Sequence, residues 1–290
     1  MRRDIAEDAG GLEPGLYVVA TPIGNLGDVT ARALDTLRRA DVICAEDTRV
    51  TGNLLRHFGI GTRPVAVHEH NERASAARIV DWIAAGRAVA YVSDAGTPGV
   101  SDPGAHLVDA VRRAGQRVIP VPGASALAAA LSASGMAFDG AVFAGFLPAK
   151  GGERKQRLAA LAAAPWAIVL FEAPHRVAAT LADLHAALGD RDVVIARELT
   201  KRFETIARVP LREARAWVEA DPDRERGEFV LVVEGDAGKS RAGPQGPAAD
   251  PRAVLRALLA ELPLKQAVAL AAKITGERRN ALYAMALDMK

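Results

Sequence analysis

Between Tyr91 and Gly104 the chain reads YVSDAGTPGVSDPG, and this stretch constrains the fold more than any other. The apolar run Ala88-Val89-Ala90-Tyr91-Val92 leading into it is a hydrophobic strand, and Ala105-His106-Leu107-Val108 after it begins a helix. The loop between them is built of small, conformationally permissive and acidic residues. Gly96, Gly99 and Gly104 let the backbone approach a bound molecule, and Pro98 and Pro103 stiffen the path. Asp94 and Asp102 supply carboxylates at the end of the strand, the edge of an open α/β sheet where ligands bind.

The same alternation extends along the chain. Strand-like runs at Leu16–Ala20, Val42–Ala45, Pro64–His68, Ala88–Ser93 and Arg117–Val121 are separated by helical patterns near Asp28–Ala40, Arg49–Phe58, Glu72–Ala85 and Ala105–Ala114. This spacing predicts a mostly parallel sheet. After Val121-Pro122-Gly123 and an alanine-rich helix over Ser125–Ser134, a second set of strands follows at Ala141–Phe146, Ala167–Glu172, Asp192–Arg197, Thr205–Val209 and Phe229–Glu234. The expected class is α/β, with two domains over residues 15–122 and 123–235. A leader over residues 1–14 and a Gly/Pro/Ala-rich linker over 236–250 are read as flexible. Residues 251–290 read as two or three short helices.

At 290 residues, half of them hydrophobic, the chain has ample material for two cores. Cys44 is its one cysteine, so no internal disulfide forms, no zinc-like Cys/His spacing occurs, and a reducing cytoplasm is the expected compartment. Serines, glycines and an aspartate interrupt the longest apolar run, Gly123–Phe146, so no membrane helix is expected there. The first residues lack the apolar core of a signal peptide. Net charge is only +2, but Pro251–Lys290 holds seven Lys and Arg against three Asp and Glu, which leaves the rest of the chain slightly acidic. A positive tail on a near-neutral body suits either a phosphate backbone or a plain solvated face.

Several enzyme classes are excluded by spacing. Gly24-Asn25-Leu26-Gly27, after the first strand, lacks the glycine pattern of a dinucleotide fold, and no Walker A lysine loop or Gly-x-Ser-x-Gly elbow occurs. Ser125 reads equally as the cap of the following helix or as a ligand contact, and Asp28 and Asp102 have comparable capping readings.

Six blocks together resemble one family. Leu16–Arg49 (LYVVATPIGNLGDVTARALDTLRRADVICAEDTR), Ser93–Gly104 (SDAGTPGVSDPG), Val121–Ser125 (VPGAS), Phe171–Arg176 (FEAPHR), Ala196–Thr205 (ARELTKRFET) and Gly227–Val232 (GEFVLV) are similar, in order, to the tetrapyrrole-methylase superfamily. Within it they resemble the bacterial branch that methylates a cytidine 2′-oxygen of small-subunit (16S) ribosomal RNA. The resemblance implies S-adenosylmethionine as methyl donor, a ligand cleft between two α/β domains, a homodimer, and 16S ribosomal RNA or the small ribosomal subunit as partner, with no metal and no membrane. Carried over residue by residue, the donor loop falls on Asp94, Ala95, Gly96, Thr97 and Pro98, and a neighbouring turn on Gly123, Ser125 and Ala126. The second domain adds Phe171, Glu198, Leu199, Gly227 and Glu228. Ser93-Asp94-Ala95 stands where porphyrinoid-modifying relatives more often carry Gly-Asp-Pro, which favours the RNA branch.

A ribose hydroxyl is a poor nucleophile at neutral pH, so a base or a charge-stabilising group is expected nearby. Glu46, Asp47 and Arg49 follow the strand Val42–Ala45 and are the catalytic candidates, with an Asp47–Arg49 ion pair fixing the next helix as the structural alternative. His68 and His70 are further acid–base candidates, with a purely structural role the more common reading of a histidine after a strand, and His175 and Arg176 read as a helix start with Arg176 a candidate contact for RNA phosphate. Basic groups at Lys150, Arg154, Lys155 and Arg157, at Arg197, Lys201, Arg202 and Arg208, and at Arg278 and Arg279 mark where RNA would lie. In the tail, Lys265–Gly276 and Glu277–Tyr283 resemble a helix–turn–helix with Gly276 at the turn. A tetrapyrrole or small-molecule methylase and a non-catalytic RNA-binding ribosome-assembly protein remain the alternatives.

Overall fold

The computed structural model describes residues 11–68, 71–236 and 250–289. His70, the first ten residues of the expected leader and most of the expected linker lie outside the described residues. The chain divides into one unit up to Gly238 and a second from Lys239 onward.

The first sheet is parallel and five-stranded: β1 (Gly15–Val19), β2 (Val42–Ala45), β3 (Val65–Ala66), β4 (Ala88–Val92) and β5 (Val118–Val121), in the order β3-β2-β4-β1-β5. Central β4 is buried at every position, as expected for a strand covered on both faces. Its residues alternate between two cores. Ala88, Ala90 and Val92 pack with Leu37 of α1 (Ala31–Arg39) and Leu55 of α2 (Thr48–His57). Val89 and Tyr91 pack with Ile79 of α3 (Glu72–Ala84) and with Leu107 and Val111 of α4 (Ala105–Arg113).

The second sheet is mixed. β6 (Ala141–Phe146), β7 (Ala167–Glu172), β8 (Asp192–Arg197), β9 (Thr205–Pro210) and β10 (Phe229–Val233) lie in the order β6-β7-β10-β8-β9, and only β6 and β7 pair in parallel. Phe229, Leu231 and Val233 face a core completed by α6 (Gly151–Leu161), α7 (Pro174–Leu188) and α8 (Leu211–Glu219). Val230 and Val232 face the other way, against α5 (Ala126–Ala133). Ile23, from the loop after β1, also joins this second core, which seats a first-sheet loop under the second sheet.

Some local expectations change. The stretch Gly11–Pro14 is not loose: Leu12 packs on the first core, Glu13 pairs with Arg117, and the Tyr17 hydroxyl donates to the Glu13 carbonyl at 2.9 Å. Asp28 does not cap α1. It lies in a short 3-10 turn, and Thr30 accepts from the Ala33 amide instead. Asp102 does not cap α4 either; that helix begins at Gly104, and its amides are met by Glu72 from α3.

In the tail unit, α9 (Pro251–Glu261), α10 (Leu264–Thr275) and α11 (Arg279–Asp288) pack through Leu255, Val268, Ala271, Leu282 and Ala286. Gly276, left-handed with φ 74°, ends α10 and turns the chain toward α11.

Candidate functional site

The carboxyl ends of β1, β2, β4 and β5 deliver four loops to one place, and short backbone bonds lock them together. Thr21 and Gly96 exchange amide–carbonyl bonds of 2.8 and 3.1 Å, joining the loops after β1 and β4. The Thr97 hydroxyl donates to the Ala124 carbonyl at 3.1 Å, joining β4's loop to the turn after β5. Gly96 has φ 75°, and an added Cβ would crowd Ile23 at 3.2 Å. At the far end of the loop Gly104 has φ 132° and would set a Cβ 2.8 Å from the Tyr91 ring, so a side chain is excluded twice over. Buried Glu72 accepts from the amides of Gly104 and Leu107 at 3.1 and 2.9 Å, substituting a carboxylate from α3 for the missing local cap of α4.

This loop forms one wall of a cavity of about 420 Å³, and the second sheet forms the other. Ala95, Gly96, Thr97, Ser101 and Asp102 face Phe146, Phe171, Leu199 and Phe229 across it, with Ser125 and Ala126 between. The lining is mostly apolar. It includes three acidic side chains, Asp102, Glu172 and Glu228, and no Lys, Arg or His. Burial, opposed by a hydrogen bond from Ser93 and reinforced by the Asp94 charge, pushes the Asp102 carboxyl above its ordinary range. Glu172 is committed to the fold: it accepts from Thr180 and from the Ala173 amide and pairs with Arg176 at 3.1 Å.

Of the residues expected to hold a donor, Ala95, Gly96, Thr97, Ser125, Ala126, Phe171, Leu199 and Glu228 line this cavity. Ser125 takes the capping role the sequence allowed, its hydroxyl accepting from the Ala128 amide at the start of α5, and it also lines the cavity. Pro98, Gly123, Glu198 and Gly227 are not among its lining residues. An added Cβ on Gly123 would reach Ala20 at 3.0 Å, and one on Gly227 would fall 2.5 to 2.6 Å from the Glu198 side chain. Glu198, itself at φ 51°, accepts from the Glu228 amide at 3.0 Å and from Lys201 at 2.9 Å. Burial raises its carboxyl, but these donors prevail and hold it below the usual range.

The catalytic candidates are placed differently. None of Glu46, Asp47 and Arg49 lines this cavity or the one beside it. Asp47 caps α2 and grips the Arg49 guanidinium at 2.6 Å, the ion pair allowed as the structural alternative; those contacts draw its carboxyl down to about 2. The Asp47 amide donates to Asp94 at 2.9 Å, and the Asp94 amide to Glu46 at 3.4 Å, a reciprocal latch between the tips of β2 and β4. Burial first, then the neighbouring Asp94 charge, raises the Glu46 carboxyl.

Asp94 opens instead on a second cavity of about 530 Å³, which shares Ile23, Ala95 and Glu228 with the first. Lys201 is in its wall, bonded to Glu198 at 2.9 Å and Glu228 at 2.8 Å, with its stem over Gly24.

The basic groups are also redistributed. Arg154 is buried and paired with Asp183 at 2.6 Å, Arg208 pairs with Asp192 at 2.8 Å, and buried Arg197 donates to the carbonyls of Arg226 and Phe203. Arg176 is held by Glu172 and the Leu147 carbonyl, so it is structural and not a phosphate contact. His175 is exposed on the first turn of α7, and the His68 amide donates to the Asn71 side chain at 2.9 Å. Ile23, Val100 and Phe146 line the first cavity without having been singled out, because nothing in an isolated apolar residue marks which cleft it faces.

Among the described residues no cluster of His, Cys, Asp and Glu is arranged to hold a metal ion, and no helix is long and apolar enough to cross a membrane. A family model described as Tetrapyrrole (Corrin/Porphyrin) Methylases matches residues 15–215, and one described as RsmI C-terminal HTH domain matches residues 245–290. The chain is 50% identical over 274 residues to the Ribosomal RNA small subunit methyltransferase I of Pseudomonas aeruginosa, covering 94% of this chain and 96% of that protein. A protein of the same name from Neisseria meningitidis serogroup B is 50% identical over 275 residues, covering 95% of this chain and 94% of its own. Among solved structures, the methyltransferase CobJ superposes with a TM-score of 0.58 at 23% identity, covering 79% of this chain and 95% of its own. Uroporphyrin-III C-methyl transferase from Thermus thermophilus complexed with S-adenyl homocysteine superposes with a TM-score of 0.54 at 21% identity, covering 78% and 99%.

Proposed function

The chain belongs to the tetrapyrrole methylase family, among its ribosomal RNA small subunit methyltransferases I, and from that premise we propose that it transfers a methyl group from S-adenosylmethionine to small-subunit (16S) ribosomal RNA. The finer reading is a cytidine 2′-oxygen as acceptor, a homodimer as working form and the cytoplasm as compartment. The observation that carries the proposal is the first cavity, where loops of both sheets converge on a mostly apolar space with acidic and no basic lining.

That lining fits the donor. S-adenosylmethionine brings a cationic sulfonium and ammonium, an anionic carboxylate, a ribose diol and an adenine ring, so acceptors such as carboxylates, backbone amides and carbonyls at glycine-rich turns, and apolar faces are the groups it requires. Asp102 and Glu228 complement the positive charge, and Phe171, Leu199 and Ala126 enclose the ring. Gly96, Thr97, Ala95 and Ser125 present backbone and hydroxyl groups. Asp94, Pro98, Gly123, Glu198 and Gly227 keep these groups in place. Bound there, the donor would supply an activated methyl for the acceptor oxygen, with its sulfur keeping the bonding electron pair and leaving as a neutral thioether, and the hydroxyl proton passing to water.

What the protein contributes is orientation, which is worth about 7–11 kcal/mol of barrier when two reactants are held in line. Glu46, Asp47 and Arg49 serve this by positioning. Their latch onto Asp94 fixes the strand tip beside the donor loop. The test is direct: purified protein is incubated with labelled S-adenosylmethionine and either small ribosomal subunits or a porphyrinoid. Label is expected in the ribosomal RNA, in a ribose-methylated cytidine by mass spectrometry. Label in the porphyrinoid alone, or a flat calorimetric titration with S-adenosylmethionine, overturns the proposal.

A further inference from the structure

We infer that the second cavity receives the nucleotide to be methylated, swung out of its RNA stack so that its ribose faces the shared wall; this rests on the proposed RNA methylation. Donor and acceptor must touch for a methyl to pass between them, so the acceptor site has to be contiguous with the donor site. The second cavity meets that condition, because Ile23, Ala95 and Glu228 belong to both linings. At about 530 Å³ it falls within the range of small-ligand pockets.

Its chemistry differs from that of its neighbour in the direction a nucleotide requires. Where the first cavity has no basic side chain, the second has Lys201 and His57, and Asn53, whose Oδ1 accepts from Arg56 at 3.0 Å, adds an amide NH2 able to donate to a base edge. Leu26 and Val50 line it while remaining 42% and 44% exposed, which leaves apolar surface free to cover a base face. Lys201 is held by design. Its ammonium is fixed by Glu198 and Glu228, an added Cβ on Gly24 would strike its Cγ at 2.4 Å, and its third N–H has no partner among the described residues. That remaining donor is available to a ribose or phosphate oxygen.

The test fills the cavity from its exposed rim. Val50→Trp occupies the base position without reaching the donor cavity, so calorimetric affinity for S-adenosylmethionine is expected to stay at the parent value. Methylation of small subunits, in contrast, should fall in kcat/KM by about 100-fold, the loss a misplacement of about 1 Å produces. Asn53→Ala, a truncation at an exposed position, gives a second reading if Val50→Trp fails to fold, with an expected fall of about 10-fold from one lost hydrogen bond. Independently of turnover, ultraviolet crosslinking of the parent protein to small subunits should leave a nucleotide adduct on the peptides that line this cavity, those carrying residues 21–26, 50–57, 93–95, 201 or 228. Parent-level methylation by the folded variants, or adducts confined to other peptides, overturns the inference while leaving the RNA methylase reading intact. Failure of the parent itself to methylate or crosslink RNA would remove that reading first.

Discussion

Replacing Glu72 with alanine should loosen the donor loop from behind. Glu72 is only 4% exposed, and its carboxylate accepts from two amides, those of Gly104 and Leu107, where no side chain of the loop itself caps α4. A hydrogen bond to a charged group contributes about 1.5–3 kcal/mol, so the pair amounts to about 3–6 kcal/mol. The lower figure applies, because a cavity bounded by Glu72, Ser101, Asp102 and Gly104 lets water reach the freed amides. For a unit of this size about 3 kcal/mol corresponds to a fall in Tm of roughly 6–12 °C. Since Ser101 and Asp102 lie just before Gly104 and line the first cavity, calorimetric affinity for S-adenosylmethionine should fall as well. Glu72→Gln, which keeps an acceptor oxygen, should recover much of both losses. Differential scanning calorimetry that places the Glu72→Ala Tm within about 1 °C of the parent would refute the reasoning, since it would mean the amides find equal partners without the carboxylate.

Three further outcomes follow from the same geometry. Asp102 is raised by burial, so it favours the folded state most while protonated and loses that contribution as pH rises through its folded-state value; a cationic donor prefers the ionised form, so affinity should weaken as pH falls toward that raised value, and Asp102→Asn should flatten the profile in calorimetry. Burial pushes the Cys44 thiol up to about 12, so a thiol reagent at neutral pH should label it only as fast as the protein unfolds, and labelling at the rate of a free cysteine would contradict its placement. Leu231→Ala empties a fully buried position at the centre of the second sheet and should cost about 2–5 kcal/mol in urea unfolding.

Much of this architecture was legible because it follows local patterns. Strands such as Ala88–Val92 and Phe229–Val233 are unbroken apolar runs of the length a doubly covered strand needs, and nearby Gly and charged residues mark their ends. The mixed character of the second sheet was not legible, because strand direction depends on how the chain crosses between β7, β8 and β10 and leaves no periodic trace. Charge was the least informative guide. Arg154, Arg176 and Arg197 read as RNA contacts in a linear count, yet each is spent on a carboxylate or carbonyl inside the fold.

The candidate site shows the same division at finer scale. Glycines announced that something comes close, but not what: Gly24 makes room for Lys201, Gly96 for Ile23 and Gly227 for Glu198, partners from 73 to 177 positions away in two of the three cases and 29 in the third. The acidic residues likewise revealed their place at strand ends but not their pairing. Glu46 and Asp47, expected to act on substrate, are tied to Asp94 across 48 and 47 positions, Glu46 by its carboxylate and Asp47 by its amide, whereas Asp102, read as a possible cap, is one of three acidic residues lining the first cavity. A residue type at the end of a strand therefore defines a shortlist, and the long-range bond that satisfies or spares its polar atoms decides which members of that list are left to meet a ligand.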